Sequence, residues 1–189
     1  KAQWPKVHFI VGNPPFIGAS TMRAALGDGY VDALRSTWPE VPESADLVMY
    51  WWHQAALTVS AGAAERFGFI TTNSLKQTFN RRVVQAALDN PAKPLSLVFA
   101  VADHPWVDGA NGAAVRIAMT AAQAGEHSGR LLTVHSETSQ DDGEVAVTLS
   151  ESQGLLHADL RIGANVAAVK TLRANLNVSS PGVKLHGAG

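Results

Sequence analysis

The first half of the sequence alternates short β-rich runs with helical stretches, and this order restricts the fold more than any other feature. Residues 7–11, 67–72 and 95–101 are β-rich runs bounded by Gly, Pro or Asn. The two segments between them contain predicted helices at residues 47–61 and 77–88. Strands that alternate with helices predict crossover connections, and therefore an α/β layer built on a parallel sheet.

The second half predicts that this sheet ends in antiparallel strands. A fourth strand is predicted at residues 113–120, and the preceding segment, residues 103–112, is too short to hold a crossover helix. Weaker strand patterns follow at residues 130–135 and 144–149, and the polar stretch 123–142 predicts an excursion or an edge hairpin rather than core. The expected fold class is therefore α/β, with parallel strands ending in an antiparallel hairpin, as in the C-terminal half of many doubly wound folds.

Composition excludes several kinds of site. The 189 residues contain no cysteine, which excludes disulfides, thiolate zinc sites and mechanisms with a cysteine nucleophile. The seven histidines show no HExxH spacing, and no phosphate-binding P-loop or Gly-x-Ser-x-Gly elbow is present, so we assign no metal, ATPase or serine-hydrolase site. No apolar run approaches the roughly 20 residues of a membrane span. The net charge of -1 implies that any contact with nucleic acid uses a local patch.

The tetrapeptide Asn13-Pro14-Pro15-Phe16 directly follows the first predicted strand. Ligands of open α/β sheets bind beyond the carboxyl ends of the strands. The side-chain oxygen of Asn13 can accept one N–H of an exocyclic amine, and the two prolines hold a main-chain carbonyl rigidly for the other N–H. Two such acceptors favour the more tetrahedral nitrogen that can attack a methyl group. Phe16 can stack on a base that has left its duplex.

The longer string Ile10-Val-Gly-Asn-Pro-Pro-Phe-Ile-Gly18 resembles the target-base region of adenine-N6 DNA methyltransferases. In particular, it is similar to the methylase region of large bacterial type II restriction–modification proteins that carry methylase and nuclease in one chain. The tail, residues 180–189, resembles the stretch that leads into their target-recognition domain. The resemblance implies the C-terminal half of a Rossmann-like S-adenosylmethionine-dependent methyltransferase sheet, in a protein of the bacterial cytoplasm.

The resemblance also implies roles for particular residues. Asn13 and the Pro14 carbonyl, held by Pro15, would bind the amine of an adenine flipped out of double-stranded DNA, and Phe16 would stack on it. Trp106 lies where the family places a second aromatic side chain against the target base, although packing within a core or loop explains a tryptophan there equally well. Asn73 follows the second predicted strand, where it would line the substrate pocket or form a helix-entry turn.

Other features depart from the family pattern or leave alternatives open. The glycine-rich turn that binds S-adenosylmethionine in this family is absent, so we expect this chain alone to bind the cofactor weakly and to be inactive. We expect a partial catalytic domain at residues 1–150 and a connector toward a missing recognition domain at residues 151–189.

Lys76, Arg81 and Arg82 form a small basic cluster. Such a cluster is typical either of a contact with DNA phosphates or of a solvated helix face.

Four alternatives remain for the function. The same motif serves methyltransferases that act on cytosine N4, on RNA bases or on protein glutamine. A non-catalytic DNA-binding remnant of the fold is the remaining hypothesis. Because the chain begins at Lys1, we expect a piece of a longer protein, whose exposed strand edges would favour self-association.

Overall fold

The computed structural model describes residues 3–106, 115–139 and 145–165, together with residues 174 and 178. Its strands are β1 Phe9–Gly12, β2 Arg66–Thr72, β3 Leu95–Trp106, β4 Val115–Ala124, β5 Gly129–Ser139 and β6 Val145–Gly154. The helices are α1 Met22–Leu26, α2 Asp28–Thr37, α3 Val48–Ser60 and α4 Thr78–Leu88, and a 3-10 helix, Asn73–Lys76, follows β2. The strands form one sheet in the order β1-β2-β4-β3-β5-β6.

The pairing of the strands confirms the expected α/β fold class. Strand β1 pairs with β2 in parallel, and β3 pairs with β5 in parallel. Strand β4 lies between β2 and β3 and is antiparallel to both, so β2 and β3 run in the same direction. The predicted antiparallel pairing of β3 with β4 is confirmed, and the additional pairing of β4 with β2 is a feature that the sequence pattern did not predict.

Helix α3 supplies much of the core because apolar side chains surround it. Trp52 is fully buried and meets Phe67 of β2 edge-to-face, with the ring centroids 5.1 Å apart. Tyr50 is also buried, and Trp51 packs against the core while remaining half-exposed. This helix therefore anchors the sheet through packing, and its aromatic run is part of the core.

Strand β3 continues beyond the predicted end at residue 101. It runs on through Asp103 and Pro105 to Trp106, with a register shift between Val101 and His104. Strand β5 pairs with β3 only over Phe99–Val101 among the described residues, so one side of β3 is free at Pro105. A proline, which has no N–H to donate, is tolerated at such an edge.

The polar stretch 123–142 includes β5, which pairs with β6 as an antiparallel hairpin at the edge of the sheet. This confirms the edge-hairpin prediction. The prediction that this stretch contributes nothing to the core is wrong for Leu131, because its side chain is buried and belongs to the core.

Strand β6 extends across residue 150, and Leu156 then bridges to Leu97 of β3. The division into residues 1–150 and 151–189 stays a prediction, since most of the second segment, including the tail 180–189, lies outside the described residues.

No helix within the described ranges is both long and apolar enough to cross a membrane.

Candidate functional site

The sheet brings the predicted site residues to one edge. Strands β1, β2 and β3 run in the same direction, so the tetrapeptide after β1, Asn73 after β2 and Trp106 at the end of β3 all lie at carboxyl ends. Strands β1 and β2 are neighbours, whereas β4 separates β2 from β3. In the described part of the chain, no ring contact joins Phe16 to Trp106.

The tetrapeptide presents its polar and aromatic groups outward. Pro14 is buried, while Asn13 and Pro15 are exposed and the Phe16 side chain keeps 37% of its surface exposed. The Ile17 N–H donates to the Pro15 carbonyl over 3.1 Å and closes a tight turn. Among the described residues the Asn13 amide makes no hydrogen bond, so its oxygen is available to a ligand. A buried proline between exposed neighbours holds the turn while leaving the Asn13 side chain exposed.

A carboxylate network holds the loop that follows the tetrapeptide. Asp46 Oδ1 accepts the Ala19 N–H at 3.1 Å, and Asp46 Oδ2 accepts from Ser74 Oγ at 2.5 Å and from Asn80 Nδ2 at 2.7 Å. In addition, the Leu47 N–H donates to the Ile17 carbonyl over 2.9 Å. The network therefore ties the motif loop, the 3-10 helix and α4 together.

Sequence analysis did not assign a site role to Asp46 or Asn80. Asp46 lies just before α3, where an aspartate is typical of a helix start, yet it makes no capping bond to α3. Its partner Asn80 is 34 residues away and only 4% exposed. A polar residue on the buried side of an amphipathic helix is the one sequence signal that could have suggested this network.

A second network surrounds Asn73. Its Nδ2 donates to Asp103 Oδ1 at 2.7 Å, and Arg116 Nε donates to the same oxygen at 2.5 Å. Arg116 Nη2 also donates to Glu137 Oε1 at 2.8 Å. The hydrogen bonds that Arg116 donates to Glu137 and Asp103 raise the pKa of Arg116 above its usual value, so this side chain stays cationic with its charge neutralised locally.

This network limits what Asn73 can offer a substrate. Its amide nitrogen is engaged with Asp103, while its Oδ1 is buried and without a hydrogen-bond partner in the described residues. Asn73 also begins the 3-10 helix, as the helix-entry interpretation expects. A contact between Asn73 and substrate stays a prediction.

Trp106 is half-buried at the last position of β3, opposite Val115 of β4. The preceding His104 Nδ1 lies 2.6 Å from the Pro105 carbonyl. Val107 and Asp108, which follow Trp106, lie outside the described residues. The strand fixes the backbone of Trp106, and its contact with a base stays a prediction.

The described residues contain no metal centre and no complete cofactor site. Phe9 and Val11 are 62% and 84% exposed along β1, beside the exposed Asn13. These apolar side chains form an open surface, and the sequence lacks the glycine-rich turn that binds S-adenosylmethionine in adenine-N6 DNA methyltransferases. No cluster of three or more His, Asp or Glu side chains suited to a metal ion occurs in the described ranges.

Comparisons with known proteins agree with this geometry. The family model described as "MmeI, DNA-methyltransferase domain" matches residues 2–133. A solved structure of the Type IIL restriction-modification enzyme MmeI in complex with DNA matches with a TM-score of 0.62 and 25% sequence identity. The match covers 84% of this chain and 20% of that chain, so this chain spans about a fifth of its length. No curated protein matches.

Proposed function

This chain belongs to the MmeI DNA-methyltransferase domain family, and on that premise we propose that it is part of an adenine-N6 DNA methyltransferase of a restriction–modification system. The complete protein would transfer a methyl group from S-adenosylmethionine to an adenine flipped out of double-stranded DNA. The observation that carries this proposal is the tetrapeptide at the carboxyl end of β1, with the Asn13 amide exposed and Pro14 buried. This is the edge at which ligands of open α/β sheets bind.

The tetrapeptide would act on the target amine through two acceptors. The Asn13 side-chain oxygen and the Pro14 carbonyl each take one N–H of adenine N6, which favours a more tetrahedral nitrogen and directs its lone pair away from the ring. S-adenosylmethionine supplies an electrophilic methyl group when bound. The amine nitrogen would gain the methyl group as the S–CH3 bond of the sulfonium breaks, which leaves S-adenosylhomocysteine, and it would release one proton to water. Rate enhancement would come from holding the reacting atoms in line.

Aromatic side chains would hold the flipped base. Phe16 keeps 37% of its surface exposed directly after the acceptors, where it would stack on adenine. Trp106, half-buried at the end of β3, would limit the pocket on another side, and Asn73 would line it between them. The tight turn at Pro15 fixes the direction of Phe16 relative to Asn13.

Other parts of the complete protein would supply the remaining functions. We assign residues 1–150 to a partial catalytic domain and residues 151–189 to a connector toward a target-recognition domain. The chain spans 20% of the MmeI chain that it matches, which leaves ample length elsewhere for the glycine-rich cofactor site. We therefore expect this chain alone to bind S-adenosylmethionine weakly and to transfer no methyl group.

The test is transfer of labelled methyl from S-adenosylmethionine to duplex DNA by the complete protein. We expect label on adenine N6 with the wild type, and a rate reduced by about a hundredfold or more in Asn13→Ala, as for loss of a transition-state hydrogen bond. The matched control is Asn90→Ala, an exposed asparagine in the turn after α4, which should keep the wild-type rate.

The other outcomes distinguish the alternatives. Label on cytosine N4 would refute adenine as the target base. Equal rates for the wild type and Asn13→Ala would refute the role of Asn13. If the cofactor binds but DNA stays unlabelled, RNA bases and protein glutamine become the substrates to test. If no cofactor binds, the chain is a non-catalytic DNA-binding remnant of the fold.

A further inference from the structure

The basic residues of this chain are distributed unevenly. Residues 66–88 contain four basic residues and no acidic residue, although the whole chain has a net charge of -1. Lys76, Arg81 and Arg82 form no ion pair within the described part of the chain. Four other arginines are each paired with a carboxylate: Arg23, Arg35, Arg116 and Arg130. The three free cations lie together in the 3-10 helix and the start of α4, and with Phe79 we call them the basic turn.

Hydrogen bonds fix the basic turn to the loop that follows the tetrapeptide. Asn80, within this turn, is buried and donates to Asp46 Oδ2 at 2.7 Å, while the Asp46 N–H donates back to Asn80 Oδ1 at 2.8 Å. The other carboxylate oxygen of Asp46 holds the Ala19 N–H. The basic turn therefore has a fixed position relative to the proposed target-base site, at the same edge of the sheet.

The exposed side chains of this turn differ from an ordinary solvated helix face. Such a face usually places carboxylates three or four residues from its cations, and residues 66–88 contain none. Phe79 instead keeps 45% of its surface exposed, and the Arg82 guanidinium carbon lies 5.4 Å from the centre of its ring. A cation held over a ring loses less conformational freedom when it binds an anion, which favours binding.

From these observations we infer that the basic turn is a contact for the DNA backbone, binding phosphates of the duplex beside the flipped base. This inference rests on the proposed function. Because the chain has a net charge of -1, attraction to DNA requires a local cluster of cations, and the basic turn provides one at the edge where the target base would enter. Its lysine and arginines contact phosphates, so it adds affinity and orientation without reading the base sequence.

The experiment measures binding of a fluorescein-labelled DNA duplex of random sequence to the complete protein over a series of salt concentrations. The variants are Lys76→Gln, Arg81→Gln and Arg82→Gln, singly and combined. Each lost phosphate contact should reduce the slope of log affinity against log salt by about 0.9, and the triple variant by about 2 to 3. A second duplex of different sequence should show the same losses.

Two control variants separate charge from folding. Lys93→Gln removes an exposed lysine in the loop after α4, at the opposite end of that helix, and should keep the wild-type slope. Arg82→Lys preserves the positive charge and should also keep the wild-type salt slope. If the turn misfolded, both Arg82→Gln and Arg82→Lys would bind DNA more weakly.

The results separate this inference from the proposed function. If the wild type transfers methyl to DNA and the triple variant keeps the wild-type salt slope, the basic turn does not contact DNA and the proposed function stands. A loss confined to one of the two duplexes would also refute the inference, because a phosphate contact is independent of sequence. If the wild-type protein binds neither duplex and also transfers no methyl group to DNA, both proposals fail; if it binds neither duplex but does transfer methyl, only the present inference fails.

Discussion

At the scale of single residues, the Asp46 side chain joins more segments by hydrogen bonds than any side chain of the tetrapeptide does. Its carboxylate accepts hydrogen bonds from Ala19, Ser74 and Asn80, which belong to three different segments. A carboxylate can accept from all three because it has two oxygens and no donor of its own. The orientation of Phe16, three residues before Ala19, therefore depends on a side chain that never needs to touch the substrate.

Replacing Asp46 with asparagine should destabilise the fold by about 2 kcal/mol, because an amide NH2 group would then face donors and leave at least one of them unsatisfied. Urea denaturation of the two proteins measures the difference. The matched control is Asp89→Asn, since exposed Asp89 accepts one side-chain bond, from Gln85, and should cost less than about 0.5 kcal/mol. Equal stability of the two variants would show that the Asp46 network does not support the loop.

At the scale of elements, the parallel pairing of β3 with β5 depends on Gly129. A Cβ atom at this position would lie 2.3 Å from the Leu97 carbonyl oxygen and 2.5 Å from Leu156 Cδ1. Both are closer than non-bonded atoms tolerate, and the Leu97 oxygen belongs to the backbone of the neighbouring strand. The start of β5 thus approaches β3 at a distance that excludes any side chain.

We expect Gly129→Ala to destabilise the fold by about 1 to 3 kcal/mol, because the added methyl group forces β5 or Leu156 to move. Thermal or urea unfolding checks this value. Gly29→Ala is the matched control: it lies in α2, a Cβ there meets nothing within 4 Å, and alanine should stabilise the helix by about 0.5 to 1 kcal/mol. If Gly129→Ala and Gly29→Ala changed the free energy of unfolding equally, β5 would not approach β3 as closely as the structure shows.

At the scale of the whole molecule, the two ends of the sheet differ. Strand β6 forms one edge and β1 forms the other, and neither has a further neighbour in the sheet among the described residues. One face of β1 carries the exposed side chains of Phe9 and Val11. An open strand edge with an apolar face is a surface that other strands can join.

We predict that the 189-residue chain on its own self-associates through β1. Replacing Phe9 and Val11 together with serine should shift its elution in size-exclusion chromatography toward the monomer, because both apolar contacts at the edge are removed. The comparison variant, Leu57→Ser, changes an apolar side chain of α3 that is 47% exposed and should leave the elution volume unchanged. A wild-type chain that elutes as a monomer at every concentration would contradict the prediction.

The sequence by itself determined which segments are strands and helices, because the spacing of apolar residues is a local property. Strands β1 and β2 and helices α3 and α4 were predicted within about two residues at each end, within the usual uncertainty of such boundaries. The position of the Asn-Pro-Pro-Phe tetrapeptide at a strand end was determined in the same way, since proline ends a strand by removing its donors. The family resemblance also required nothing beyond the sequence, and the family match confirms it.

Apart from the predicted pairing of β3 with β4, only the tertiary structure decided which segments become neighbours. The insertion of β4 between β2 and β3 depends on backbone hydrogen bonds, which are the same for every residue and leave no pattern in the sequence. The bond from Trp52 to Thr120 joins residues 68 apart, and Asp46 meets Asn80 across 34 residues. Polar side chains reveal such partners only when the chain is folded, because a buried polar group can be satisfied from any segment that packs against it.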